Sequence, residues 1–254
     1  MTKVRDVLNE LEKFAPTALK EEYDNVGLMI GNPDEEVKKI VSCLDVTSAV
    51  VDFAIKKGAN LIISHHPLIF NPLYEIDISE SKGKIIEKCI KNDIAVISEH
   101  TNLDKAEKGM NYKLAQILGG KNIKVQSEHC GVLFEVEKMD IKDFAKLVST
   151  KLSDETVTYT NTKKKIKKVF ACTGGGGSDK ENYEFAKEMA DVYLSGDFKH
   201  HNYVDAKEDN FAVVSFSHYA SEIIAEDIIK GLIESVLGVS VLTSKQERPF
   251  NTIK

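Results

Sequence analysis

Apolar residues recur along this chain with two different periods. Near the start, Val4, Val7, Leu8, Leu11 and Phe14 lie at helical spacing and predict an amphipathic helix. Short β-branched runs then occur at 40–46 (IVSCLDV), 61–64 (LIIS), 94–99 (IAVISE) and 169–173 (VFACT), each leading into a helical pattern. Between the first two runs, Ala49, Val50, Phe53, Ala54 and Ile55 keep that helical pattern until Gly58, a residue suited to a left-handed C-terminal cap. LIIS is apolar throughout, as expected of a strand covered on both faces. Strands alternating with helices predict an α/β fold with mainly parallel or mixed sheets.

The layout restarts further along. A run at 134–152 (FEVEKMDIKDFAKLVSTKL), the strand VFACT, a helix over 181–190, the strand VYLSGD, and FAVVSFS before a long helix over 219–237 form a second series. Two interlinked α/β units are therefore predicted: a first over 1–125, completed by 238–254, and a second over 126–237. Gly119, Gly120 and their polar neighbours interrupt the periodicity near the boundary. VSVLTS at 239–244 supplies the returning strand.

Composition narrows the class. The 254 residues carry 34 Lys plus Arg against 40 Asp plus Glu, a net charge of −6, so no global positive field favours nucleic acid as a partner. The one basic tract, KKKIKK at 163–168, is expected to be a solvated loop. None of the four cysteines, Cys43, Cys89, Cys130 and Cys172, forms a C-x-x-C pair, which argues against a disulfide framework or a thiolate zinc site. No apolar run approaches the roughly 18 to 20 residues that span a bilayer. A reduced, cytoplasmic protein without a membrane partner is the expectation.

Chemistry concentrates in the histidines. His65 and His66 (SHHP), His100 (SEHTNLD) and His218 (SFSHYASE) fall at or just after the ends of predicted strands, where ligands gather in open α/β sheets. Successive side chains in a strand point to opposite faces, but Pro67 ends regular pairing, so both rings of the His-His pair can turn to one site. Asp104 follows His100 by four residues in a turn-like segment. Glu222 follows His218 by four at a helix start, which places both on one helical face. Each residue singly has a structural reading as a cap or a packed side chain. Imidazole and carboxylate together suit zinc, manganese, iron or nickel. Two further segments carry polar chemistry. CTGGGGSD can hold a phosphate on its amides or simply turn tightly around Gly174 to Gly177, and SGDFKHH brings Lys199 and His201 near another strand end.

DNVGLMIGNP at 24–33, GANLIISHHPLIF at 58–70, HTNLDKAEKGMNYKLAQILG at 100–119, CTGGGGSD, SGDFKHH and SHYASE together resemble the GTP cyclohydrolase I type 2 homologue family, the NIF-three-like proteins. The likeness is to the short form without a middle insertion. It implies a NIF-three-like fold and two divalent cations per subunit, held by His65, His66, Asp104, His218 and Glu222, with Glu222 bridging. His100, His201 and Lys199 become candidates for substrate or catalytic roles. The resemblance also implies a homo-oligomer, a hexameric ring with its metal sites facing a central cavity. Three functions remain open: a metal-dependent hydrolase acting on a nucleotide or related small molecule, a non-enzymatic metal-binding or metal-delivery protein, and a regulatory ring-forming protein.

Overall fold

A computed structural model describes residues 1–253. The chain divides into two compact units, one of Met1–Ala106 with Ile223–Glu247 and one of Glu107–Glu222 with Arg248–Lys254. The division therefore lies at Ala106/Glu107 rather than after residue 125, and the return to the first unit begins at Ile223 rather than 238. The physical reason is where apolar faces go. Leu114 and Ala115 bury in the core of the second unit. Ser42 in the first unit donates to the Glu226 carbonyl at 2.9 Å, and Ser244 and Lys245 satisfy the Glu226 carboxylate. The final residues belong to the second unit, where Arg248 pairs with Asp154 at 3.3 Å.

The first unit opens with helix α1 (Val4–Phe14) and is built on a five-stranded sheet ordered β1-β4-β3-β2-β11. Here β1 is Gly27–Ile30, β2 Ile40–Cys43, β3 Leu61–Ser64, β4 Ala95–Ser98 and β11 Val241–Thr243. Strands β11, β2, β3 and β4 are parallel, and β1 closes the sheet antiparallel to β4. Every residue of β2, β3 and β4 is buried, as the continuous apolar runs require. Helices α2 (Ser48–Lys57) and α3 (Ser81–Lys91) supply Val50, Val51, Ala54, Ile86 and Cys89 to the core on one face. Thr47 caps α2 through the Val50 amide, and Gly58, at φ +67°, ends it.

The second unit holds a six-stranded sheet ordered β5-β6-β8-β9-β10-β7. Its strands are β5 (Lys121–Gln126), β6 (Gly131–Met139), β7 (Thr158–Tyr159), β8 (Ile166–Ala171), β9 (Val192–Gly196) and β10 (Ala212–Phe216). The centre, β8-β9-β10, is parallel, and the flanks are antiparallel. Helices α5 (Met110–Ile117) and α6 (Ile141–Leu152) pack Leu114, Phe144 and Val148 into one core, while α7 (Lys180–Met189) and α8 (His200–Glu208) bring Tyr183, Ala186 and Ala206 to the other.

Two local expectations are corrected. The KKKIKK tract is not all loop: Ile166 is fully buried and starts β8, so Lys167 and Lys168 lie in that strand with exposed side chains. The long helix over 219–237 is two helices, α9 (His218–Glu222) and α10 (Ala225–Leu237). Ser221 explains the break, because its hydroxyl donates to the His218 carbonyl at 2.8 Å and competes with the helical amide ladder.

Candidate metal centre

In the first unit the candidate residues stand at the carboxyl ends of three neighbouring parallel strands. Asp45 follows β2, His65 and His66 follow β3, and His100 follows β4. One ring nitrogen from each of His65, His66 and His100 lies within 4.8 Å of the others, a group able to hold a metal ion. Asp104 sits in a short helix, α4 (Thr101–Lys105), rather than in an open turn, with its carboxylate 3.8 Å from His65 Nε2. His65 is fully buried and Asp104 nearly so.

The tautomers of these rings follow from their neighbours. His65 Nδ1 lies 2.8 Å from the Glu99 carbonyl oxygen, His66 Nδ1 2.8 Å from Asp45 Oδ1, and His100 Nδ1 2.8 Å from Asp24 Oδ1. A carbonyl or carboxylate oxygen only accepts, so each Nδ1 carries the proton and each neutral ring bears its lone pair on Nε2. That is the orientation in which metal-ligating imidazoles are commonly held. Asp24 is itself clamped by the Thr101 amide at 3.0 Å and by the Thr101 hydroxyl. Burial would raise its pKa, but these bonds and His100 outweigh burial and hold the carboxyl well below the usual carboxylate range. Glu99 goes the other way: burial pushes it up to about 8 despite a bond from Asn102, so its side chain is largely protonated at neutral pH.

The second unit repeats this placement on different strands. Gly174 follows β8, Asp197 follows β9 and His218 follows β10, again at the carboxyl ends of three parallel neighbours. His218 Nδ1 meets Asp197 Oδ2 at 2.7 Å, and Nε2 meets Glu222 Oε2 at 2.8 Å. Burial lowers the His218 pKa, but the bonds and charges of Glu222 and Asp197 more than compensate and bring it to about 9. Without a cation, this ring is an imidazolium between two carboxylates. A divalent ion in place of the Nε2 proton would take this set from a net charge of −1 to neutral, so the donor chemistry fits a metal.

Backbone features hold this group in place. Gly174 has φ +63°, and a Cβ there would stand 2.0 Å from Glu222 Oε1, so only glycine lets the turn approach the carboxylate. Its amide donates to Ser221 Oγ at 2.9 Å, and its carbonyl accepts from the Gly196 amide at 3.0 Å. The glycine turn is therefore explained by close packing around Glu222. The buried carboxylate of Asp154 accepts from the Ser217 amide at 2.6 Å and from Thr156, which fixes the residue before His218. Those bonds hold the Asp154 pKa down although burial alone would raise it.

Lys199 and His201 are exposed at the start of α8, and neither joins a metal-ligating group among the described residues. The four cysteines form no disulfide and also lie outside those groups among the described residues. Sequence reading missed Asp24, Asp45, Glu99 and Asp154. Asp45, inside the predicted run at 40–46 and two residues beyond the end of β2, carried the one signal that strand order alone could have exposed.

The family described as Duf34/NIF3 (NGG1p interacting factor 3) matches residues 2–249. A Clostridium acetobutylicum protein named GTP cyclohydrolase 1 type 2 homolog is 37% identical over 229 residues, which is 87% of this chain and 85% of that protein. The crystal structure of a Staphylococcus aureus protein matches with a TM-score of 0.90 and 30% identity over 99% of both chains. A Bacillus cereus protein related to NIF3 matches with a TM-score of 0.89 at 24% identity, over 100% of this chain and 99% of that one, a likeness of fold. No helix among the described residues is long and apolar enough to cross a membrane.

Proposed function

Because the chain belongs to the Duf34/NIF3 family, we propose that it is a dinuclear-metal protein acting as a metal-dependent hydrolase on a nucleotide or related substrate. The ligands in this reading are His65, His66, Asp104, His218 and Glu222, with Glu222 bridging two ions of zinc, manganese, iron or nickel. The observation that carries it is the anchoring of three imidazoles, His65, His66 and His218, each with Nδ1 against an oxygen acceptor, which suits Nε2 to a ligand role. Two of these acceptors are carboxylates, Asp45 and Asp197, and Asp197 also raises the pKa of His218.

The proposed set is three imidazoles and two carboxylates, which for two ions leaves open positions, as in the sites of hydrolytic enzymes rather than the closed sites of structural zinc. Two such ions supply Lewis acidity and lower the pKa of water towards neutrality. The chain contributes the geometry, with buried Asp104 and Glu222 fixing oxygen donors and Asp45 and Asp197 turning the rings. By resemblance, the working form in this reading is a hexameric ring.

Turnover of a panel of nucleotides, phosphoesters and cyclic amides by manganese-, zinc-, iron- or nickel-loaded protein between pH 6 and 9 tests the hydrolase. Metal-dependent, chelator-sensitive turnover is expected. Full loading with no turnover of any class would leave metal binding or delivery as the function.

A further inference from the structure

The first unit carries an aromatic feature that runs from the surface to the proposed metal ligands. From solvent inward, the aromatic rings of Tyr23, Phe70, His100 and His65 follow one another, with centroids 6.2, 6.1 and 5.2 Å apart. Tyr23 is 68% exposed, Phe70 is half-buried and His65 is fully buried. The planes are turned against each other, 53° between Tyr23 and Phe70 and 81° between Phe70 and His100. They form a stepped corner rather than a closed stack, so a flat ring can lie on one face while its edge meets the next.

This corner is rigidly mounted. Asp24, between Tyr23 and Asn25, is buried and tied to Thr101 and to His100 Nδ1. Asn25 Nδ2 donates to the Ile69 carbonyl at 2.6 Å, which fastens the Tyr23 turn to the segment carrying Phe70. The two residues directly after a large exposed tyrosine are thus each tied to a segment far away in sequence. Exposing so much aromatic surface forfeits burial energy, and preorganised aromatic surface beside polar ligands is how ligand pockets commonly look.

We propose that Tyr23 and Phe70 form a recognition shelf for a planar heteroaromatic group, such as a nucleobase, and that His100 marks the end of the shelf nearest the metal ligands. The proposal rests on the metal-centre reading for where the reacting group goes, but not for the stacking itself. It assigns specificity to the heterocycle rather than to a phosphate, since the shelf offers π faces and the neighbouring Lys20 ammonium is engaged by the Glu21 and Asp24 carbonyls. Loss of one stacking partner for a base costs about tenfold in affinity.

The test uses isothermal titration of the full-length, manganese-loaded protein with two probes: inosine, which has a base and no phosphate, and ribose 5-phosphate, which has a phosphate and no base. Metal content is measured in parallel. Inosine should bind, Tyr23→Leu and Phe70→Leu should each weaken it about tenfold, and Tyr23→Phe should retain wild-type affinity because the ring is kept. Ribose 5-phosphate binding and metal content should not respond to these substitutions. The shelf is rejected if inosine does not bind, if the leucine variants bind it as well as wild type does, or if Tyr23→Leu lowers the sedimentation mass, which would make the ring a subunit contact. If the wild type holds no metal yet inosine binding still depends on both rings, the metal-centre reading fails and the shelf stands.

Discussion

The two units place similar chemistry on similar scaffolds but hold it differently. In each, three parallel strands deliver residues at their carboxyl ends, and in each a carboxylate from one strand end turns an imidazole from the next: Asp45 with His66, Asp197 with His218. In the first unit the carboxylates nearest the rings face Nδ1, and Asp104 stands off His65 Nε2 at 3.8 Å. In the second unit both nitrogens of His218 are already engaged by carboxylates at 2.7 and 2.8 Å. The first arrangement keeps Asp104 beyond hydrogen-bond reach of His65 Nε2, whereas the second holds a proton that a metal would have to displace. Similar topology therefore does not imply equal metal affinity, because the local charge decides what the ring carries before the ion arrives.

The sharpest way to break this contrast is to remove the support under the second unit. Asp154→Ala strips a buried carboxylate from the Ser217 amide, Thr156 and Arg248, and should cost about 3 to 5 kcal/mol, read as a lower urea midpoint. An unchanged midpoint would mean that Asp154 is not what fixes the start of α9. Next in size are the turning carboxylates: Asp45→Asn and Asp197→Asn should each weaken metal binding by about 10- to 100-fold, measured by competition with a chelating dye. Asp197→Asn should also bring the His218 pKa down from about 9, visible by NMR of the metal-free protein, while Asp45→Asn leaves it in place.

The smallest effect is the pH dependence. His218 is raised from 6.5 to about 9, so its ion pairs stabilise the metal-free protein fully below pH 6.5, and that contribution is lost as pH rises through about 9. Metal loading should oppose the trend, because the ion competes with that same proton. The gap in melting temperature between loaded and metal-free protein should therefore widen from pH 6.5 to 9, and a gap that narrows would place the displaced proton elsewhere.

Much of this was legible in the sequence because burial leaves a periodic trace. LIIS read as a covered strand and IAVISE as a strand, and the histidines stood visibly at their ends. The relation of residues 223–247 to the first unit was only partly legible: VSVLTS signalled the returning strand, but α10 carries the same helical pattern in either unit, and only its packing against Ser42 decides the matter. The edge strands β1, β5 and β7 were not found, since exposed or half-exposed positions follow no strict alternation. Asp24 and Asp154 were missed for a related reason. Each acts on residues more than 60 positions away, His100 and Ser217, and no local pattern marks a carboxylate for a distant partner.

Elemental analysis of wild-type protein and Glu222→Gln after identical anaerobic loading and desalting tests the central claim most directly. A dinuclear centre bridged by Glu222 requires close to two divalent ions per wild-type chain and fewer than one in the variant, with circular dichroism unchanged. Wild-type protein that retains no divalent metal, or a variant that keeps both ions, would contradict the account.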